Sequence, residues 1–229
     1  IWPIFAAMFM FRLIVYLYDL RNRAAPVGFW RAVCYFFMLP TACFPIFPVV
    51  DYKTMWRSWV AGKEALRVHQ SGAEWILRGL VQLLLYRLVY HSLPVDAASV
   101  ESASQALLYL VRPCLLYLRI SGSLHLVIGI MRLYGFDLPR TSHNYFLASS
   151  FTDYWRRINI YWKEFIQKIF FNPVYFRLNR RMGTVASLVI ATLVAFIATW
   201  ALHSYQWFWI RKTFPVVWQD IVFWSVMGL

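Results

Sequence analysis

The strongest constraint on this fold is an uninterrupted apolar stretch near the carboxyl-terminal end of the chain. Residues 184–203 read TVASLVIATLVAFIATWALH, and the first ionisable side chain in the stretch is His203 at its end. A helix of this length is about 30 Å long, which matches the hydrocarbon thickness of a bilayer. The stretch therefore predicts a membrane-spanning helix that carries a histidine at one end.

The composition of the whole chain agrees with membrane insertion. Hydrophobic residues make up 61% and charged residues 14%, and the mean hydropathy is +0.52. Soluble domains are about half apolar and about a quarter charged, so a soluble chain of this composition would expose large apolar patches. A disordered chain would be far more polar. We therefore expect an integral membrane protein.

Further apolar segments predict an all-α, polytopic membrane helix bundle. Residues 1–18 and 74–93 each read as a span, and residues 106–136 read as two short helices or as one long broken span. Basic residues precede the 74–93 segment and acidic ones follow it, which favours a cytoplasmic location for residues 51–70. We expect one membrane-embedded domain over residues 1–229. Because the chain opens and closes inside apolar runs, we also expect it to be part of a longer protein.

A proline cluster interrupts the apolar segment 28–50. Pro40, Pro45 and Pro48 cannot occupy one regular helix, because each lacks a backbone donor and clashes with the preceding turn. Irregular backbone at membrane depth needs protein or water to satisfy its polar groups. The cluster predicts a re-entrant element packed inside the bundle.

The charge balance is strongly basic, at +13 from 23 basic and 10 acidic residues. No basic segment lies on a recognisable nucleic-acid-binding module, so we expect basic loops against anionic lipid and no nucleic acid. No His, Cys, Asp or Glu spacing indicates a metal site.

The segment 150–169, SFTDYWRRINIYWKEFIQKI, differs from the rest of the chain. Ser150 and Asp153 fit a capping box. At helical spacing, Trp155 lies on an apolar arc, and the opposite arc is polar and basic. The pattern predicts one amphipathic helix over residues 152–169 in the interface plane, with its apolar side inward and Arg157 and Lys168 toward water or headgroups.

Two functional interpretations of this segment stay open. The first is anchoring to anionic lipid. In the second, the uncharged amide of Asn159 holds a carbonyl, and the flanking cations Arg156 and Lys163 lie near phosphates. His203 is equally open: it acts as a structural hydrogen-bonding group or as a general base near neutral pH.

Several motifs together resemble the membrane-bound O-acyltransferase (MBOAT) superfamily, especially its bacterial envelope-modifying members. Residues 150–160 (SFTDYWRRINI) match the family pattern S-x-x-[DE]-[FY]-W-R-R-W-[HN]-I at every position except Ile158, where the pattern has Trp. Residues 170–173 read FFNP, and residues 200–203 (WALH) end on the family histidine. Upstream, residues 16–21 (YLYDLR) and the proline element at 36–46 are similar to further family motifs. The resemblance covers residues 10–210.

The resemblance implies re-entrant and interfacial helices around a tunnel, in a bacterial inner (cytoplasmic) membrane. It also implies an O-acyltransferase, most simply an acetyltransferase. The acyl group would move from a thioester donor, acyl-CoA or an acyl carrier, to a hydroxyl of an envelope polysaccharide or another acceptor. No bound cofactor is expected. Expected partners are membrane lipid, the donor, the acceptor, and a membrane or periplasmic protein.

The resemblance also assigns roles to residues. His203 is expected to be the base that takes the hydroxyl proton, and Asn159 to orient the acyl carbonyl or the acceptor. Donor binding is expected from a set that contains one aromatic and three basic side chains: Trp155, Arg156, Arg157 and Lys163.

Two other classes remain open. One is a non-catalytic polytopic membrane subunit or transporter, in which intramembrane arginines line a solute path; these are Arg78, Arg87, Arg112 and Arg132. The other is a pigment- or haem-binding membrane protein, although the five histidines show no paired spacing.

Overall fold

The computed structural model describes residues 2–25, 28–37, 50–60, 62–92, 100–213 and 217–228. These residues form helices and no β-strand, apart from an isolated antiparallel bridge between Trp59 and Phe136. The all-α prediction is confirmed at this level. The proline element with Pro40, Pro45 and Pro48 lies outside the described residues.

The helices follow one another closely along the chain, and the start of the longest one has a local cause. Ser102 begins the longest helix with a capping box, in which its Oγ accepts from the Gln105 backbone N and the Gln105 Oε1 accepts from the Ser102 backbone N. The helices are α1 (Trp2–Arg21), α2 (Phe29–Phe37), α3 (Tyr52–Ser58), α4 (Lys63–Ser92), α5 (Ala103–Leu133), α6 (Phe151–Arg157), α7 (Ile160–Ile166), α8 (Asn172–Met182), α9 (Thr184–Arg211) and α10 (Trp218–Gly228).

Two helices in the described part of the chain are long and apolar enough to cross a membrane. They are Ala103–Leu133 and Thr184–Trp209, the latter beginning where the apolar stretch predicted a span. The first of them is one unbroken helix, so neither arrangement expected for residues 106–136, two short helices or one long broken span, is found. Of the segments expected to span at 1–18 and 74–93, residues 2–18 lie in α1 and residues 74–92 lie in α4. Neither of these helices is one of the two candidate spans in the described part of the chain.

The chain divides into two compact units. The second unit contains α4 and α5, which pack antiparallel through paired glycines. A Cβ added at Gly79 would lie 2.7 Å from the Gly122 carbonyl oxygen, and one added at Gly129 would lie 2.8 Å from that of Gly72. The absence of side chains at these positions lets the two backbones touch, as small residues do between membrane helices.

Arginines of the second unit have partners inside it. The guanidinium carbon of Arg112 lies 4.5 Å from the centroid of the Tyr90 ring, a cation–π distance. Arg132 forms a 2.8 Å ion pair with Asp137, and Arg78 lies over a tryptophan ring. These contacts give the three arginines a structural explanation that needs no solute path.

The first unit contains α1, α2 and the chain from residue 141 onward. Its core joins α1 to α7 through the buried side chains of Phe11, Val15, Phe165 and Ile166. Small and apolar residues of α9 pack against this cluster, namely Ala195, Ala198 and Leu202. The core therefore holds α7 beside the long apolar helix.

The single amphipathic helix predicted over residues 152–169 is wrong. The segment forms α6 and α7, separated at Ile158 and Asn159, and continues into a π-helical turn at Gln167–Phe171. Lys168, expected to face water or headgroups, also forms ion pairs: its Nζ lies 2.5 Å from the buried carboxylate of Asp19 and 3.2 Å from that of Asp51. Partners far away in sequence thus hold this lysine, whose side chain is 28% exposed.

Candidate functional site

A cavity of about 490 Å³ in the first unit brings most of the predicted site residues together. Its walls come from α6, α7, the π-helical turn, α9 and α10. The predicted residues that line it are Trp155, Arg156, Asn159, Lys163 and His203. The other lining side chains are mainly apolar, and they include Ile158, Trp162, Ile166, Phe171, Phe196 and Trp224.

Arg157 is the predicted site residue that does not line the cavity. Its Nε donates to Asp153 Oδ1 at 2.8 Å, and its Nη2 lies 2.8 Å from Asp153 Oδ2. This bond, together with the Ser149 backbone N–H, lowers the pKa of the Asp153 carboxyl. Arg157 therefore forms an ion pair within one turn of α6. Its position does not support the expected contact with the acyl donor.

The start of α6 follows the predicted capping pattern in part. Ser150 Oγ accepts from the Asp153 backbone N at 3.1 Å, as an N-cap serine does. The Asp153 carboxylate accepts from the Ser149 backbone N at 3.2 Å, one residue earlier than a standard capping box would require. The cap fixes where α6 begins and so where Trp155 and Arg156 project.

The break between α6 and α7 occurs at Asn159, whose backbone is left-handed with φ 41° and ψ 64°. Asparagine tolerates this region better than most residues. The break is held from both sides, because the Ile160 N donates to the Thr141 carbonyl at 2.7 Å and the His143 N donates to the Arg157 carbonyl at 2.9 Å. The preceding loop thereby sets the corner at which Asn159 meets the cavity.

The side chain of Asn159 caps α7. Its Oδ1 accepts from the Trp162 backbone N at 3.3 Å. Within the described residues, this leaves the Nδ2 amide hydrogens as donors without a protein acceptor. The Nδ2 of Asn159 is thus an uncharged N–H donor at the cavity wall. The hydrogen bond of Oδ1, in the same amide group, holds it in place.

His203 lines the cavity from α9 in a defined tautomer. Its Nδ1 lies 2.9 Å from the Thr199 carbonyl oxygen. A carbonyl oxygen only accepts, so Nδ1 must carry the hydrogen and Nε2 must hold the lone pair of the neutral ring. In the described part of the chain, Nε2 has no hydrogen-bond partner. A half-buried imidazole with Nε2 unprotonated is the form that can accept a proton.

Trp162 connects these two residues, although it is not among the site residues expected from the sequence motifs. Its backbone N is held by Asn159, and its ring meets the His203 ring edge-on with centroids 4.9 Å apart. The indole also packs on Phe11 and Phe165, at centroid distances of 5.5 Å and 5.4 Å. Its position three residues after the cap asparagine is the sequence signal that could have identified it.

Two cations face the cavity from α6 and α7. Arg156 is exposed and Lys163 is half-buried, and both line the cavity wall. Neither forms an ion pair with a described residue. Together they give this cavity a positive rim over an otherwise apolar lining, which suits a ligand with an anionic group and an apolar portion.

The π-helical turn separates the cavity from an ion cluster. Gln167 and Phe171 line the cavity, while Lys168 between them pairs with Asp19 and Asp51. A π turn widens the helix by one residue per turn and is common at functional sites. Here, neighbouring residues of the turn face either the cavity or the ion cluster.

Among the described residues, no three His, Cys, Asp or Glu side chains are grouped as metal ligands would be. The polar side chains at the cavity are the His203 imidazole, the amides of Asn159 and Gln167, threonine hydroxyls and two cations.

No protein-family model matches this chain, and no characterised protein matches it in sequence. The acyltransferase resemblance therefore rests on the motifs alone.

Proposed function

We propose that this protein is a membrane-embedded O-acyltransferase whose reaction takes place in the cavity lined by Asn159 and His203. The observation that carries the proposal is their convergence. Residues 159 and 203 line the same cavity from different elements, and neither the Asn159 Nδ2 nor the His203 Nε2 has a hydrogen-bond partner among the described residues. Acyl transfer needs these two functions, a base for the hydroxyl and a donor for the oxyanion.

Membrane embedding is supported by the exposure of the two apolar helices. In the most apolar window of α9 17% of the residues are buried within the protein, and in that of α5 33% are. The core helix of a soluble protein would be mostly buried. Exposed leucines and valines over both helices are instead the expected surface toward lipid.

The proposed reaction moves an acyl group from sulfur to oxygen. His203 Nε2 takes the proton of the acceptor hydroxyl as its oxygen attacks the thioester carbonyl carbon. The carbonyl oxygen becomes an oxyanion, to which the Asn159 Nδ2 donates. The intermediate collapses as the C–S bond breaks, and the imidazolium returns its proton to the departing thiolate. Atoms and charges balance without a metal or a bound cofactor.

The cationic rim supports binding of the donor. Coenzyme A carries phosphates, and Arg156 and Lys163 lie where an anionic group would enter beside the apolar lining. Trp155 contributes an aromatic wall whose ring meets Phe196 edge-on. An acetyl donor, an envelope polysaccharide acceptor and a bacterial inner membrane follow from the motif resemblance.

A non-catalytic membrane subunit is the second candidate, and one observation favours it. Asn159 and His203 both have structural bonds, one as the cap of α7 and the other to the preceding turn of α9. In that case the cavity would hold lipid, and neither side chain would take part in chemistry.

His203→Gln separates the two candidates. Glutamine keeps a side-chain donor for the Thr199 carbonyl but cannot take up a proton, so transfer should fall about 10²–10⁴-fold. The measurement is acetylation of envelope polysaccharide by mass spectrometry, with the level of the protein in membranes and its thermal unfolding in detergent recorded alongside. The matched control is His143→Gln, an exposed histidine outside the cavity lining. Full transfer by a well-folded His203→Gln protein would contradict the mechanism.

A further inference from the structure

We propose that the carboxyl-terminal half of α8 binds the phosphate headgroup of an anionic phospholipid. Arg177, Arg180 and Arg181 are exposed and, with Phe176, line a second cavity of about 480 Å³. The spacing i, i+3 and i+4 places the three guanidinium groups on one side of the helix. The polar side chains that line it are therefore all cationic.

The three arginines have no counter-charge among the residues that the structure describes. The sequence contains no aspartate or glutamate between residues 165 and 219. Within the described part of the chain, none of the three side chains forms an ion pair or a side-chain hydrogen bond. Three adjacent cations repel one another unless an anion lies between them, and a planar guanidinium binds a phosphate through two parallel hydrogen bonds.

The position of the cluster selects the source of the phosphate. α8 ends at Met182, Gly183 turns the chain with φ 80°, and α9 begins at Thr184. The arginines are thus within about two helical turns of the apolar helix, which places them at headgroup depth if α9 crosses the bilayer. Beside them, Phe176, Met182 and Val185 are exposed, as apolar residues of an interfacial helix are.

A soluble phosphate donor is the less favoured occupant, because the two cavities share no lining residue. The basic rim of the His203 cavity belongs to α6 and α7, and the arginine cluster belongs to α8. The inference rests on the membrane placement of α9 in the proposed function, but it does not depend on acyl transfer.

The test compares two double variants at opposite ends of α9. Arg180→Gln/Arg181→Gln removes two charges from the cluster, and Arg211→Gln/Lys212→Gln removes two charges from the other end. Each purified protein is titrated in detergent with phosphatidylglycerol or phosphatidylcholine, and bound lipid is counted by native mass spectrometry. Each basic side chain contributes a similar binding free energy at an anionic lipid surface. Because the first variant loses two charges, it should bind phosphatidylglycerol about 30-fold more weakly. The control should match the wild type.

Three results would overturn the inference. One is equal affinity of the wild type for both lipids, and another is equal loss in the two double variants. The third is displacement of phosphatidylglycerol by coenzyme A at similar concentration, which would assign the cluster to a soluble phosphate. Thermal unfolding establishes that each variant is folded, and Arg177→Gln provides a milder variant if the double change prevents folding.

The same preparations separate this inference from the proposed function. Lipid selectivity without acetyl transfer by the wild type would refute the enzyme proposal and retain the lipid site. Acetyl transfer with no lipid selectivity would refute the lipid site and retain the enzyme proposal. Monomeric solubility of the wild type without detergent would remove the membrane premise that the two share.

Discussion

The Oδ1 of Asn159 accepts a hydrogen bond from the backbone N of Trp162 at 3.3 Å, and the Trp162 ring lies edge-on against His203. One side chain thus fixes the start of α7 and, through the next turn, the surroundings of the histidine. The structural and the proposed catalytic roles of Asn159 use different atoms, so substitutions can separate them.

Asn159→Asp should preserve the fold and impair the reaction. The carboxylate keeps an oxygen for the Trp162 backbone N–H but has no hydrogen to donate to an oxyanion. Loss of one such donor typically costs about 10²–10³-fold in rate. The measurement is thiol release from acetyl-CoA in the presence of envelope polysaccharide, with thermal unfolding recorded on the same sample. Asn159→Gly is the companion, since glycine tolerates the left-handed backbone and also lacks the donor. A wild-type rate in both variants would refute the role of the amide.

Arg156→Gln and Arg157→Gln should differ although the residues are adjacent. Arg156 lines the cavity, so its loss should raise the KM for acetyl-CoA about tenfold, as loss of one charge-assisted hydrogen bond does. Arg157 pairs with Asp153 outside the cavity lining, so its loss should leave that KM unchanged. Initial rates over a range of donor concentration provide the comparison. Equal KM values in the two variants would show that the rim does not bind the donor.

Asp153 should make the stability of α6 dependent on acidic pH. Hydrogen bonds from Arg157 and Ser149 hold the pKa of its carboxyl below the ordinary value of 3.8. Because the folded-state pKa is depressed, the stabilisation is present above pH 3.8 and is lost as the pH falls through the folded-state pKa. The difference in Tm between the wild type and Asp153→Asn should therefore shrink below pH 3.8. Arg157→Gln should reduce the same pH dependence, and an unchanged difference across this range would contradict the assignment.

Lys168→Gln should strongly destabilise the first unit. Asp19 is 1% exposed, and removing the lysine leaves a buried carboxylate without its cation. Breaking a buried ion pair on one side typically costs about 3–5 kcal/mol, measured as the free energy of unfolding in denaturant. Asp51→Asn is the matched control, since Asp51 is half-buried and its loss leaves the shorter contact between Lys168 and Asp19 in place. The double variant Lys168→Gln/Asp19→Asn should recover part of the loss, and no recovery would argue against a buried pair.

The sequence predicted the helices that depend on local rules. The apolar stretch places the start of α9, the serine at residue 150 caps α6, and the basic and aromatic periodicity marks residues 150–169 as an exceptional segment. These features arise from contacts three or four residues apart along one helix, and periodicity and capping patterns report such contacts directly.

Tertiary structure decided what those patterns leave open. The amphipathic periodicity continues through residue 159, but the chain turns there because the Ile160 N–H finds the Thr141 carbonyl in the preceding loop. Lys168 forms an ion pair because Asp19, far earlier in the chain, offers a buried carboxylate. A local pattern is compatible with either a straight or a broken helix, since left-handed asparagine costs little. Hydrogen bonds and ion pairs to distant residues select between them, and they exist only once the chain has folded.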